Sequence, residues 1–325
     1  MDLSGAQSRD YAAVLGLREF RRRRISGRTR TEIGCHHGNL AATSCRIGRR
    51  LLALFKGRPW LLEVRDLWPD SIVALDMMQE RNLLVRMLRK VEDTLYRSAA
   101  RVVTTNGGLR ERLIGRGVPG EKIGVVPNGV DALQFTPRPK PQELLDRYDL
   151  QDRFVVGYIG TQGLAHDLET VLGAASMLRD RNVCFLFVGD GAQHLPMVRM
   201  VKRLQLDNVR FVRTVAADEV PDHIACCDAL LVPLKRTSTL SDTMPSKIFE
   251  IAAMERPIII GAEGIAPELV ESHRAGIAVE PENVEALVHA IERLQGDASI
   301  AHAMQSRLPR ARGRFQPRQI RSPDA

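Results

Sequence analysis

Apolar residues along this chain fall into two kinds of pattern. One is the short unbroken run bounded by glycine, proline or polar residues. Trp60–Val64, Val102–Thr105, Ile123–Val126, Phe154–Ile159, Val183–Val188, Val209–Val212, Ala229–Pro233, Pro257–Gly261 and Gly276–Val279 are of this kind, and each reads as a buried strand. The other is apolar recurrence every three or four positions. Leu84, Leu88, Val91 and Leu95 recur so, and predict an amphipathic helix over Arg81–Arg97. Ile248, Ile251, Ala252 and Met254 predict a second within Met244–Glu255. Further helices are expected up to Gly115, and over Asp167–Leu178, Gln193–Leu204, Asp218–Cys226, Pro267–Ser272 and Val284–Leu294. From Phe154 onward strand and helix alternate strictly, which argues for a doubly wound parallel sheet in an α/β protein.

The pattern also sets the domain organisation. Residues 1–50 carry crowded arginines and no strand-like run, so they read as an irregular basic segment. Residues 51–135 hold only part of an alternating unit, ending at the turn Asn128-Gly129. Prolines at 137, 139 and 141 mark a linker over 136–152. Residues 153–302 form the regular domain, and 303–325 are again irregular and basic.

The helix after Ala229–Pro233 concentrates candidate chemistry. Ligands of open parallel sheets bind at the carboxyl ends of strands, where such helices begin, and a helix start favours anions. Pro245 suits a first turn, and Thr243 or Ser246 is placed to cap it. Lys247 and Glu250 lie three apart on one face. A lysine there meets a phosphate, and a carboxylate one turn on accepts from sugar hydroxyls. The same spacing suits a plain surface ion pair. Two glycine turns, Gly160-Thr161-Gln162-Gly163 and Gly189-Asp190-Gly191, follow predicted strands on the same sheet edge, where glycine lets backbone approach phosphate. Neither is a Gly-x-Gly-x-x-Gly fingerprint, which disfavours a dehydrogenase.

Composition narrows the classes. With 325 residues, two domains are expected. No run of about 18 apolar residues predicts a membrane-spanning helix, and no signal-peptide pattern opens the chain. The five cysteines (Cys35, Cys45, Cys184, Cys226, Cys227) show no metal or redox spacing, so no metal site is expected and a reducing cytoplasm fits. The net charge is +8, yet residues 136–305 hold 24 acidic against 17 basic side chains. The basic excess lies in the earlier part and the far end. With no recognition motif or aromatic interleaving, nucleic acid is not an expected partner. Arg86, Arg89, Lys90 and Arg97 on the Arg81–Arg97 helix suit either an anionic membrane surface or an ordinary solvated face.

Two motifs carry a resemblance. Pro245-Ser246-Lys247-Ile248-Phe249-Glu250, followed by Ala252-Ala253 and Arg256-Pro257, resembles the nucleotide-sugar-binding segment of family 4 glycosyltransferases. Glu63-Val64-Arg65-Asp66-Leu67-Trp68-Pro69 resembles a signature of the N-acetylfucosaminyltransferase-like subgroup of colanic acid and O-antigen synthesis. The resemblance covers roughly residues 51–300. It implies the GT-B architecture, two Rossmann-like domains of which the first is here incomplete, as if truncated. It implies transfer of a sugar, with retention, from a nucleotide diphosphate donor to a polysaccharide or lipid-linked acceptor. For the subgroup the donor is a uridine diphosphate N-acetylamino sugar, with no further cofactor and no metal.

That resemblance puts Glu250 on the ribose and leaves Lys247 as the local cation for the diphosphate. Thr161, Gln162 and His166 stand where many members carry arginine and lysine, and Asp242 replaces a glutamate eight residues before Glu250. Lys247, Glu250 and Asp66 are the expected catalytic set, with Asp66 holding an acceptor hydroxyl or orienting a sugar. Gly160, Thr161, Gln162, Gly163, Gly191, Ser246 and Asp242 are the expected donor contacts. A cytoplasmic protein, peripheral on the inner membrane face, is implied. Two alternatives remain: an inactive nucleotide-sugar-binding protein, and a sugar-nucleotide 2-epimerase on the same architecture.

Overall fold

The computed structural model of the chain describes residues 59–75, 77–237, 239–297, 299 and 300, together with residues 50, 57, 303 and 304. The expectations for residues 1–49 and 305–325 lie outside the described residues. Among the described residues the chain divides into two compact units between Asn128 and Gly129.

The first unit holds β1 (Leu61–Val64), α1 (Asp70–Ala74), α2 (Leu83–Ser98), β2 (Arg101–Thr104), α3 (Gly107–Gly115) and β3 (Ile123–Val125). Its strands pair in parallel in the order β1-β2-β3. Asn82 and Asn106 cap α2 and α3, their side chains accepting from Leu84 N and Leu109 N at 2.9 Å. The core is made by Leu62, Val64, Leu95, Val102, Leu109 and Leu113. Of the expected apolar stripe of α2, Leu88 and Leu95 are buried and Val91 packs against the core, but Leu84 does not. Val85, Leu88, Leu95 and Tyr96 are buried while Leu84 is 42% exposed. The pattern misleads because the buried face contains a charge: Glu92 is fully buried, accepts from the Tyr96 hydroxyl and lies 3.7 Å from Arg116 Nη1.

The second unit opens with α4 (Gln142–Tyr148), inside the stretch expected to be linker. Residues before it are fastened to this unit. Gln134 Nε2 donates to Ala217 O at 2.6 Å, and Arg138 and Lys140 pair with Asp222 and Asp228 at 2.7 Å. Phe135 is buried in the same core. These attachments join the start of the expected linker, 136–152, to the second unit, and the chain divides earlier, at Asn128. Proline spacing reports a stiff backbone; it does not report which surface the backbone lies on.

Then follow β4 (Phe154–Ile159), α5 (Leu168–Met177), β5 (Val183–Val188), α6 (His194–Leu204), β6 (Val209–Val212), α7 (Val220–Ala225), β7 (Ala229–Pro233), α8 (Lys247–Ala253), β8 (Ile258–Gly261), α9 (Ile265–Ser272), β9 (Gly276–Val279) and α10 (Val284–Gly296). All nine expected strands are present. The six of this unit run parallel in the order β6-β5-β4-β7-β8-β9. Every residue of β5, β7 and β8 is buried, as covered parallel strands require. Alternate residues feed opposite faces: Leu186 and Val188 join one core, Phe185 and Phe187 the other. The strand order reverses between β4 and β7, which makes their carboxyl ends a topological switch point.

Candidate functional site

The loops leaving β4 and β5 are packed backbone against backbone. Gly160 and Gly189 take φ of +132° and +131°. A Cβ on Gly189 would stand 2.1 Å from Gly160 O, and one on Gly191 2.4 Å from Gln162 O. Side chains are therefore excluded from both places. Gly160 N donates to Val188 O, and Gln162 N to Asp190 O, each at 2.9 Å. Gln162 locks the pair: its side chain is fully buried, donates to Gly189 O at 3.1 Å and meets His194 Nδ1 at 2.9 Å. The structure thus turns Gln162 inward, as a strut between the loops, while Thr161 is exposed beside it. Gly163 lies in the same loop, with His166 close behind it.

From the other side of the switch point, β7 leads through a long loop into α8. Ser246 occupies the N-cap position but makes no capping hydrogen bond; its φ and ψ are already helical, so its hydroxyl does not face the free N–H groups. Thr243 lies farther back in the loop, and the helix is shorter than Met244–Glu255. Ile248, Ile251, Ala252 and Met254 are buried as expected. Lys247 reaches across to β4. Its ammonium is buried, lies 4.0 Å from the centre of the Tyr158 ring, and would stand 3.2 Å from a Cβ on Gly160. Lys247 Nζ makes no hydrogen bond among the described residues. Burial pulls its pKa down from 10.5 to about 8, against the pull of Glu250. Burial likewise raises the Glu250 carboxyl, and Lys247 offsets part of that.

His166 packs beside Tyr158 and Lys247. Its ring meets the Tyr158 ring edge-on at 5.7 Å. Burial first, then the Lys247 charge, lowers its pKa to about 3, opposed by a hydrogen bond to the Pro233 backbone. His166 is therefore neutral at physiological pH, and Lys247 carries the positive charge here. Tyr158 donates to Thr161 O at 2.5 Å. A cavity of about 210 Å³ lies over the two glycine turns, lined by Gly160, Thr161, Gly189, Asp190, Thr214 and Val215.

The structure so brings Lys247, Gly160 and Thr161 to one place, with Gly163, Gly191 and Glu250 on the elements around it. Asp242 is in the β7–α8 loop. Asp66 stands at the end of β1 in the first unit, where Arg65 pairs with Glu63 at 2.7 Å and Leu67, Trp68 and Pro69 form a buried turn. Tyr158, His194, Thr214 and Val215 were not legible as site residues. The tyrosine in the otherwise apolar run Phe154–Ile159 was the one available signal; the loop after β6 carries no motif. Among the described residues no group of three His, Cys, Asp or Glu side chains could hold a metal ion, and no helix is long and apolar enough to cross a membrane.

Two family models match this chain. Residues 153–297 match glycosyl transferases group 1, and residues 4–129 match a glycosyl transferase 4-like domain. The second match reaches back to residue 4, well before the motif resemblance near Leu51, so the arginine-rich start is part of it. The two stretches are thus similar to a group 1 and to a 4-like glycosyl transferase domain respectively. Among its relatives is Escherichia coli WcaI, whose name places it among colanic acid biosynthesis glycosyl transferases. It is 28% identical over 77% of this chain and 63% of its own length. A GDP-mannose-dependent phosphatidylinositol monomannoside mannosyltransferase of Mycobacterium tuberculosis is 29% identical over 57% of this chain and 50% of its own. The chain thus spans between half and two thirds of the length of these curated relatives. Its fold is similar to that of Anabaena HepE, solved with UDP and glucose, at a TM-score of 0.71 and 19% identity over 85% of this chain and 72% of that one. Thermosynechococcus elongatus sucrose-phosphate synthase gives 0.66 at 20% identity, over 85% of this chain and 67% of that one. These likenesses fix the architecture as GT-B, with parallel α/β units.

Proposed function

We propose that this chain transfers a sugar from a nucleoside diphosphate donor to a polysaccharide or lipid-linked acceptor, with retention, and that the second unit holds the donor. The observation that carries this reading is Lys247: a buried ammonium without a hydrogen-bond partner among the described residues, at the switch point, against the Gly160 turn, whose φ of +132° suits glycine. A buried charge is costly unless an opposite charge completes it. A diphosphate laid over Gly160 completes it. As the bond from the sugar's anomeric carbon to the diphosphate breaks, negative charge grows on the leaving oxygen, and Lys247 stabilises it without reorganising. The acceptor oxygen bonds to the anomeric carbon and its proton passes to the departing diphosphate. Glu250, one turn along α8, takes the ribose hydroxyls. Asp242 faces the sugar, and Asp66 holds the acceptor hydroxyl. No metal or further cofactor enters this scheme. The donor is uridine diphosphate linked to an N-acetylamino sugar; this accords with the subgroup signature at Glu63–Pro69 and with the UDP bound to Anabaena HepE, whose fold this chain shares.

The protein is cytoplasmic and peripheral on the inner membrane face in this reading. The first turns of α2 support that: Leu83 and Met87 are 77% and 55% exposed beside the exposed Arg86 and Lys90. A second reading, a nucleotide-sugar-binding protein without transfer, draws on the loop after β4, where Gln162 is a buried strut and His166 is neutral, so that neither adds a charge beside Lys247 for a leaving diphosphate. Calorimetry with UDP and UDP-N-acetylglucosamine tests the donor site. Lys247→Ala and Glu250→Ala should each weaken binding by tenfold or more, about 1.4 kcal/mol. Unchanged affinity in both variants removes the site assignment. Donor binding without transfer to any lipid-linked acceptor favours the second reading.

A further inference from the structure

The loop between β7 and α8 carries Asp242, yet its position is set from outside. Lys235 N donates to Ala165 O at 3.0 Å, and Arg236 N to Glu282 Oε2 at 3.2 Å. The Arg236 guanidinium pairs with Glu280 at 2.6 Å and Glu263 at 3.3 Å. Farther along, Ser241 O accepts from Ile265 N, the first residue of α9, at 3.1 Å. Gly264 makes that approach feasible. It holds φ +83° and ψ −140°, a region open to glycine and strained for other residues. A Cβ there would stand 2.1 Å from Ser241 O and 2.8 Å from Ser241 C. Both are backbone atoms, so no rotamer change relieves the overlap. Glu263 and Gly264 are adjacent. One turn therefore grips the loop twice, at Arg236 by charge and at Ser241 by backbone contact. Exposed ion pairs such as these contribute little alone, which leaves the backbone contact as the stronger grip.

We propose that the Glu263–Gly264 turn is a positioning element that fixes Ser241–Asp242 for the sugar end of the donor. The proposal rests on the donor reading given above. It divides the work between two pieces of structure. Lys247 and the glycine turns, on α8 and β4, hold the diphosphate. The clasped loop, set by α9, meets the sugar. Disturbing the clasp therefore reduces what the sugar adds to binding and spares the nucleoside diphosphate.

The test uses the full chain with Gly264→Ala and Arg236→Gln, and two readouts. The first is calorimetric affinity for UDP and for UDP-N-acetylglucosamine. Gly264→Ala should bind UDP within about twofold of wild type, since its groups are untouched, and should lose the sugar's added affinity by about tenfold or more, as small misplacements do. Arg236→Gln should show the same split more weakly. The second readout is hydrogen exchange of the amides at 239–245, which needs no ligand. It should quicken in Gly264→Ala. Equal loss of UDP and UDP-sugar affinity, or exchange unchanged from wild type, overturns the clasp. Wild type that binds neither ligand while the variant's exchange quickens overturns the donor reading and leaves the clasp standing. Should Gly264→Ala fail to fold, Arg236→Gln decides: an unaltered exchange rate and an unaltered sugar increment overturn the proposal.

Discussion

Replacing Lys247 by methionine together with Glu250→Gln should make the protein more stable while removing donor binding. The lysine pKa falls from 10.5 to about 8 on folding. That change corresponds to about 3 kcal/mol spent in keeping the ammonium charged inside the fold. The Tyr158 ring beneath it returns on the order of 1–2 kcal/mol, and a methionine thioether against the same ring recovers part of that. Glu250 must change too, because a mostly buried carboxylate left without its cation becomes a cost of its own. The net expectation is a gain of about 1–2 kcal/mol at pH 7, or a Tm higher by roughly 2–8 °C for a unit of this size. The sign with pH follows from linkage. Below pH 8 the lysine is charged in both folded and unfolded chains, and the penalty is fully present. Between about 8 and 10.5 the folded chain has released the proton and the unfolded chain has not, so wild-type stability rises relative to the variant. Urea titrations at pH 7 and pH 9.5 read this directly. A variant less stable than wild type at pH 7, or a gap that does not narrow by pH 9.5, refutes the reasoning that the site holds an uncompensated charge.

His166, with a pKa lowered to about 3, gives a window of the same sign at lower pH. The unfolded chain takes up its proton near pH 6.5 and the folded chain does not, so stability is lost as pH falls from about 6.5 towards 3. His166→Asn should flatten that loss by about 2 kcal/mol at pH 5, seen as urea midpoints at pH 7 and 5 that lie closer together than those of wild type. A Cβ on Gly157, in the middle of β4, would lie 2.4 Å from Cys227 Sγ. Gly157→Ala should cost about 1–3 kcal/mol, and adding Cys227→Ala should restore most of it in a thermal melt. Gln162→Leu should destabilise by about 1–3 kcal/mol, because it strands Gly189 O and His194 without partners; a melt unchanged from wild type would show that the two glycine turns hold without the strut.

How much of this was legible in the chain depends on where the information sits. The strands were readable because buried parallel strands are unbroken apolar runs, and each of the six in the second unit lies within a residue of its expectation. The switch point followed from alternation, and with it the edge on which Lys247 and the glycine turns meet. What stayed hidden depends on tertiary partners. Glu92 is polar by type and buried by virtue of Tyr96 and Arg116, which come from its own helix and the end of the next; no period reveals that. Residues 136–140 look like a linker until the contacts of Arg138 with Asp222 and Lys140 with Asp228 are seen. Gln162 stands in a loop whose neighbours face outward, and only the spacing to Gly189 and His194 turns it in.

The same distinction bears on what Lys247 and Glu250 are for. Three-residue spacing on a helix allows a surface ion pair or a site, and the sequence leaves both open. A surface pair would put both charges in water and within hydrogen-bond reach of each other. Here the ammonium is buried over an aromatic ring, has no hydrogen-bond partner among the described residues, and is attracted by Glu250 without a bond between them. Beside it lies Gly160, where a Cβ would stand 3.2 Å from the ammonium. A fold that keeps a cation under those terms bears a cost that packing alone would have removed by mutation to an apolar residue. An anion that enters beside Lys247 at Gly160 converts that cost into affinity, which is why the stability gained by the paired change Lys247→Met and Glu250→Gln and the donor affinity lost by it should come as one result.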